Sequence, residues 1–211
     1  GVDPAFFRIP ETIEEAREKL GMPKKKMVIG FVGRLDTVGE EKGVGLLLSA
    51  FGALSRTKGD CILYVIGGPD HLICTYEAQA EGLGIPQGKI VFTGQVPYRT
   101  VPLYLKAIDV AVIPPPGPVH ARTTSPMKVF EFLAAGKAIV ASDLPALRVH
   151  LNERNAVFFD AESAEDLARK IQFIAEHPEE KNRLSAQAAS DAEGVTWNSR
   201  TKKIIDFIES E

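Results

Sequence analysis

Short apolar runs alternate with segments of helical periodicity along almost the whole chain. This alternation constrains the fold more than any other feature. Residues 27–32, 61–66, 89–92, 110–113, 138–141 and 156–159 each read as a buried strand. Runs of this kind are expected where helices cover both sides of a parallel sheet. Residues 45–54, 75–82, 101–107, 126–135, 164–176, 179–189 and 197–208 carry helical spacing. The pattern predicts an α/β fold, a doubly wound parallel six-stranded sheet with helices on both faces, in the Rossmann-like manner. Ligands on such sheets sit beyond the C-terminal ends of the strands. Gly33, Gly67, Gly68 and Gly94 fall at those ends.

The 211 residues suffice for one large domain with a sizeable core. Residues 1–10 contain Pro4 and Pro10, show no periodicity and read as the end of an interdomain linker. Residues 11–211 then form a single domain, and the chain is expected to be half of a larger protein. The net charge of -3 gives no reason to invoke a nucleic-acid or anionic-membrane partner. Cys61 opens an apolar run and reads as a reduced core residue; two cysteines make neither a disulfide framework nor a metal site. With no signal peptide and no apolar run long enough to cross a bilayer, a cytoplasmic protein is expected. Peripheral membrane contact of the full-length protein stays open.

Three constellations could carry chemistry. The most informative is Thr124-Ser125-Pro126-Met127-Lys128-Val129-Phe130-Glu131-Phe132. Ser125 can cap a helix and Pro126 suits its first turn. Lys128 would then stand where the helix already carries partial positive charge, an unfavourable place for a cation unless an anion docks there. Glu131 follows on nearly the same face. A cation, free backbone amides and a carboxylate suit a ligand with phosphate at one end and hydroxyls at the other. A surface Lys–Glu pair three residues apart would be worth only a few tenths of a kcal/mol, and it leaves the neighbouring Thr123, Thr124 and Ser125 unexplained.

The second constellation is Gly30-Phe31-Val32-Gly33-Arg34 with Glu41-Lys42-Gly43. Gly33 ends a strand where a ligand can approach the backbone. Arg34 offers a bidentate fork for phosphate and Lys42 a point charge. Alone, both read as solvated cations paired with Asp36, Glu40 or Glu41; their place at a strand end favours a ligand. The third is Phe92-Thr93-Gly94-Gln95-Val96, which suits a base held by backbone bonds or a plain strand-to-helix turn. His71 and His120 lie in loops, and His150 and His177 lack ligand-spaced partners. No Ser-His-Asp arrangement, Walker loop or G-x-G-x-x-G fingerprint is present.

In this order the three constellations resemble the C-terminal domain of group 1 glycosyltransferases, retaining enzymes of the GT-B fold. The similarity begins at Gly1-Val2-Asp3 and extends through Ala135-Gly136-Lys137-Ala138-Ile139-Val140-Ala141-Ser142. The resemblance implies that Arg34 and Lys42 bind the donor diphosphate and stabilise it as it leaves. It implies phosphate binding along the backbone from Ser125 to Val129, with Lys128 adding charge and Glu131 binding the ribose hydroxyls. Gly33, Thr124 and Val96 complete the expected site, Val96 through its main chain at the base. It implies no cofactor beyond a nucleotide-diphosphate sugar as donor substrate, no metal, and a separate N-terminal acceptor-binding domain. The sequence departs from the family at Thr123, where a glutamate contacts the donor sugar, and at Val149, where relatives often carry glutamate. Two other readings are a GT-B nucleotide-sugar epimerase, with His120 as its acid–base group, and a non-catalytic nucleotide-sugar-binding module.

Overall fold

The computed structural model describes residues 1–37, 40–57, 60–115 and 127–210. The chain opens with α1 (Pro4–Phe7), capped by Asp3, and α2 (Ile13–Lys19), which starts with a reciprocal capping box between Thr12 and Glu15. β1 (Met27–Val32) leads into a small hairpin of β2 (Asp36–Thr37) and β3 (Glu40–Glu41), then α3 (Val44–Thr57). Next come β4 (Cys61–Ile66), α4 (Ile73–Gly82), β5 (Ile90–Gly94), α5 (Val101–Ala107) and β6 (Val110–Ile113). The remainder comprises α6 (Met127–Ala134), β7 (Ala138–Ser142), α7 (Pro145–Arg148), β8 (Ala156–Phe159), α8 (Ala164–Glu176), α9 (Pro178–Asp191) and α10 (Trp197–Glu209).

The six long strands form one parallel sheet in the order β5-β4-β1-β6-β7-β8. The chain works outward from β1 to β4 and β5, returns to β6, and then works outward the other way. The strand order therefore reverses between β1 and β6, which opens a crevice at their C-terminal ends. β4 and β7 are buried along their whole length because helices cover both faces. On one face Leu105, Phe132, Leu133 and Ala188 pack together; on the other Leu47, Phe51, Leu167 and Ile171 do. α8 shows how local sequence builds such a face. Ser163 caps it, Glu165 and Asp166 fill its first turn, and Leu167, Ile171 and Ile174 recur at helical spacing on the buried side.

All six expected strands are present. α1, α2, α7 and the hairpin are additions to the expected element list, because each is too short to show a period. α2 buries only Ala16 and Arg17. Residues 1–10, expected as a linker end, pack onto the domain: Val2 and Phe7 are buried, and Val2 bridges Thr196 ahead of α10. No helix among the described residues is long and apolar enough to cross a membrane.

The N-terminal ends of the strands are closed by charge. Buried Arg17 donates to the carbonyls of Ala107, Lys24 and Lys26 and pairs with Asp109 at 2.6 Å. Asp109 also accepts from the Val28 amide. Beside them the buried Lys137 ammonium donates to the Leu105 and Ile108 carbonyls at 2.8 and 2.6 Å. Burial pushes its pKa down to about 8, with Asp109 pulling the other way.

Candidate functional site

At the C-terminal ends of the strands the loops after β1, β4 and β5 are tied together by their backbones. Gly33 N–H donates to the Ile66 carbonyl, Leu35 N–H to Gly68 and Gly67 N–H to Gly94, at 2.8–3.0 Å. This crossing requires glycine at 67. Its φ is 137°, and a Cβ there would overlap the carbonyl oxygen of Gly33. The three loops enclose one side of a cavity of about 350 Å³ whose wall includes Gly33, Arg34, Gly68, Val96, Tyr98 and Lys128. Expected site residues from three separate stretches of sequence thus share one cavity.

The cation of Arg34 is loosely held. Its Nε donates to the Asp36 carbonyl at 3.2 Å, and its guanidinium is 3.9 Å from the Asp36 carboxylate, with the side chain 72% exposed. Most of the fork's donors are uncommitted by these contacts, so a planar bidentate anion can use them.

Lys128 lies near the start of α6, and its stem crosses Gly33: a Cβ at Gly33 would stand 3.3 Å from Lys128 Cε. Its Nζ donates to Glu131 Oε2 at 2.8 Å. Glu131 is only 4% exposed, because α6 is buried from Val129 to Ala134. The pair is therefore not the solvated surface pair that the spacing alone allows. The second oxygen, Oε1, lies 3.5 Å from the Tyr98 hydroxyl. Burial, and then the charge and hydrogen bond of Glu131, raise the Tyr98 pKa. A cation and a carboxylate side by side at a helix start can meet phosphate and hydroxyl groups of one ligand.

Lys42 stands apart from this wall. It is half-buried, its N–H donates to the Leu35 carbonyl at 3.1 Å, and it is not among the residues lining the cavity. Gly43 beside it, at φ 85°, presses against the Pro114 carbonyl at the end of β6. The backbone next to Lys42 thus runs close to the end of β6. The Val129 side chain is fully buried in the core, so only its main chain can serve a ligand. Thr124 and Ser125, with Thr123 and His120, lie outside the described residues. His150 packs edge-on against Phe130, and His177 bonds the Phe173 carbonyl.

Several lining residues stand outside the expected set, Tyr98 among them, and Asp70 touches the wall at Gln95. Tyr98 starts a 3-10 turn right after Val96 and Pro97, and Asp70 accepts from the Gln95 amide at 3.3 Å. Both follow the C-terminal ends of strands, and that position was the signal that could have found them. Among the described residues no three His, Cys, Asp or Glu side chains gather in a metal-ligating group.

Residues 12–191 match the family described as Glycosyl transferases group 1. The chain is similar to the D-inositol 3-phosphate glycosyltransferase of Segniliparus rotundus, with 27% identity over 213 residues, covering 97% of this chain and 44% of that protein. The sucrose-phosphate synthase of Thermosynechococcus elongatus matches the whole chain with a TM-score of 0.82 at 20% identity, over 51% of its own length. HepE of Anabaena, in complex with UDP-glucose, matches with a TM-score of 0.80 at 19% identity, over 100% of this chain and 56% of its own. These two structures show the shared fold. The chain spans about half the length of the relatives it matches.

Proposed function

The chain belongs to the group 1 glycosyl transferases, and from that premise we propose that it is the donor-binding half of a retaining, metal-independent glycosyltransferase. It holds a nucleotide-diphosphate sugar, from which the complete protein transfers a hexosyl group to an acceptor hydroxyl. The observation that carries this reading is the shared cavity: Arg34, Lys128, Gly33 and Val96 line it, and Glu131 is bonded to Lys128 at its side. The UDP-glucose bound by HepE and the transferase name of the Segniliparus relative support the same ligand class.

Breaking the bond between the sugar and the diphosphate leaves negative charge on the diphosphate and positive charge on the anomeric carbon. Cations that meet the first charge lower the barrier electrostatically. In this reading Arg34 and Lys42 take that role, and Lys128 holds phosphate at the start of α6. Glu131 binds the ribose hydroxyls, and the main chain at Val96 meets the base. The departing phosphate takes the acceptor proton on the face it leaves, which retains the configuration.

The acceptor-binding domain is a further part of the proposal. α10 supports it, because Trp197, Ile204, Ile205, Phe207 and Ile208 are all exposed and cluster on the apolar side of that helix. We assign this face to the acceptor domain of the complete protein.

Thermal melts with UDP, GDP and ADP, each in excess chelator, test the donor reading. A rise in melting temperature with one nucleotide that persists in chelator is expected, since preferential binding to the folded state stabilises it. No shift with any of the three would refute it.

A further inference from the structure

Tyr98 touches both the candidate site and the segment at the start of the chain. Pro97 and the 3-10 turn Tyr98–Thr100, in which the Thr100 hydroxyl donates to the Pro97 carbonyl at 2.8 Å, fix the backbone of Tyr98 on the cavity wall. Its ring lies parallel to Phe6, with centroids 5.1 Å apart and planes 9° from each other. Phe6 in turn meets the buried Phe7 edge-on at 5.1 Å, and Phe7 meets Tyr98 at 6.4 Å. One ring face of Tyr98, a residue 57% exposed overall, thus stacks on the segment that precedes α2. The hydroxyl, at the other end of the same rigid side chain, stands 3.5 Å from Glu131 Oε1.

The Glu131 carboxylate therefore has a donor on each oxygen, Lys128 on Oε2 and Tyr98 on Oε1, from two different elements. The 2.8 Å contact with Lys128 holds the carboxylate in place, and the longer 3.5 Å contact with Tyr98 biases its plane. Each ionised oxygen still has lone-pair capacity for a further donor, such as a ligand hydroxyl. Without Tyr98, Lys128 is the remaining side-chain donor to this carboxylate among the described residues.

We propose that Tyr98 is a positioning residue that aims Glu131 at the ligand's hydroxyl-bearing end, and that its stack on Phe6 makes this aim depend on the N-terminal segment. The inference rests on the donor-site reading above. It predicts that residues 1–10, besides leading into the domain, tune how tightly the nucleoside part of the donor is held.

The test is titration calorimetry of the unchanged protein, Tyr98→Phe, Phe6→Ala and the double variant. The probes are inorganic pyrophosphate and whichever of UDP, GDP and ADP the unchanged protein binds most tightly, with melting temperatures measured in parallel. Tyr98→Phe keeps the ring stack and removes only the hydroxyl. It should weaken the nucleotide by roughly five- to tenfold, within the range of one ordinary hydrogen bond. Pyrophosphate, which has no hydroxyl-bearing end, should change by less than about twofold. Phe6→Ala should weaken the nucleotide in the same selective way, and the double variant should be no weaker than Tyr98→Phe alone, because both act through one contact. Nucleotide affinity unchanged in Tyr98→Phe, or equal losses for nucleotide and pyrophosphate, would overturn the inference alone. Failure of the unchanged protein to bind any nucleoside diphosphate would overturn the donor-site reading and this inference with it.

Discussion

Lys128 Nζ lies 2.8 Å from the Glu131 carboxylate, and the two partners differ sharply in burial, with side-chain exposures of 34% and 5%. The helix that carries them is packed on nearly every side, so the carboxylate cannot swing out to water. Lys128 is therefore its cation as well as a candidate phosphate ligand. Removing the lysine strands a buried charge, which is worse for the fold than never having had the pair.

Lys128→Ala should accordingly lower stability by about 2 kcal/mol, whereas Glu131→Gln, which keeps a neutral hydrogen-bonding group in place, should lower it by about half as much. Chemical denaturation of both variants checks the order. Equal stability of Lys128→Ala and the unchanged protein would show that the pair contributes nothing.

Arg34 is in the opposite situation. Its side chain is largely exposed and loosely paired, so Arg34→Ala should stay within about 0.5 kcal/mol of the unchanged stability. Affinity for a nucleoside diphosphate should nonetheless fall by roughly tenfold, and affinity for the free nucleoside should not change. Calorimetric titration with both ligands separates the two effects. A parallel loss for the nucleoside would mean that Arg34 acts on the fold rather than on phosphate.

Gly67→Ala should destabilise the protein by about 3 kcal/mol, since the new methyl group meets the Gly33 carbonyl and the backbone is left-handed there. The same change should push the β1 and β4 loops apart and weaken nucleotide binding. A melting temperature within a degree or so of the unchanged protein would contradict the close crossing of these loops.

The buried Lys137 gives a pH signature of definite sign. Its folded-state pKa, about 8, lies below the ordinary value of 10.5. Below pH 8 it is protonated in both states, and its burial penalty is fully present. Between about pH 8 and 10.5 the unfolded chain binds more protons, so this group makes stability rise with pH. Relative to Lys137→Met, which cannot titrate, the unchanged protein should gain up to roughly 3 kcal/mol across that window. Denaturation curves of the two proteins that stay parallel in pH would refute this.

The fold was largely legible in the sequence, because buried parallel strands leave continuous apolar runs that need no tertiary knowledge to find. Residues 61–66 and 110–113 match β4 and β6 at both ends. The short elements were not legible. α2 presents one buried alanine and one buried arginine, and neither has an apolar period. Of the residues that line the cavity, Gly33, Arg34 and Lys128 could be named from strand ends and helix-start chemistry, and Val96 from the resemblance. Tyr98 could not be linked to Glu131 that way, because 33 residues separate them and their meeting depends on how α6 lies beside the turn after β5. The burial of Glu131 was likewise invisible, since Lys-x-x-Glu looks the same on an exposed helix. The burial of Lys137 has no signal in the sequence, and only the packing at the end of α5 reveals its two carbonyl partners.

The most direct test of the central claim is the backbone amide NMR spectrum of the protein during titration with UDP, GDP or ADP, whichever binds. Binding in the cavity gives saturable shifts confined to its wall: Gly33 and Arg34, Gly67 and Gly68, Gln95 to Tyr98, and Lys128 to Glu131. Shifts centred on the N-terminal ends of the strands around Arg17 and Lys181, or on the groove beside β5 at Gln87 and Gly88, would contradict it.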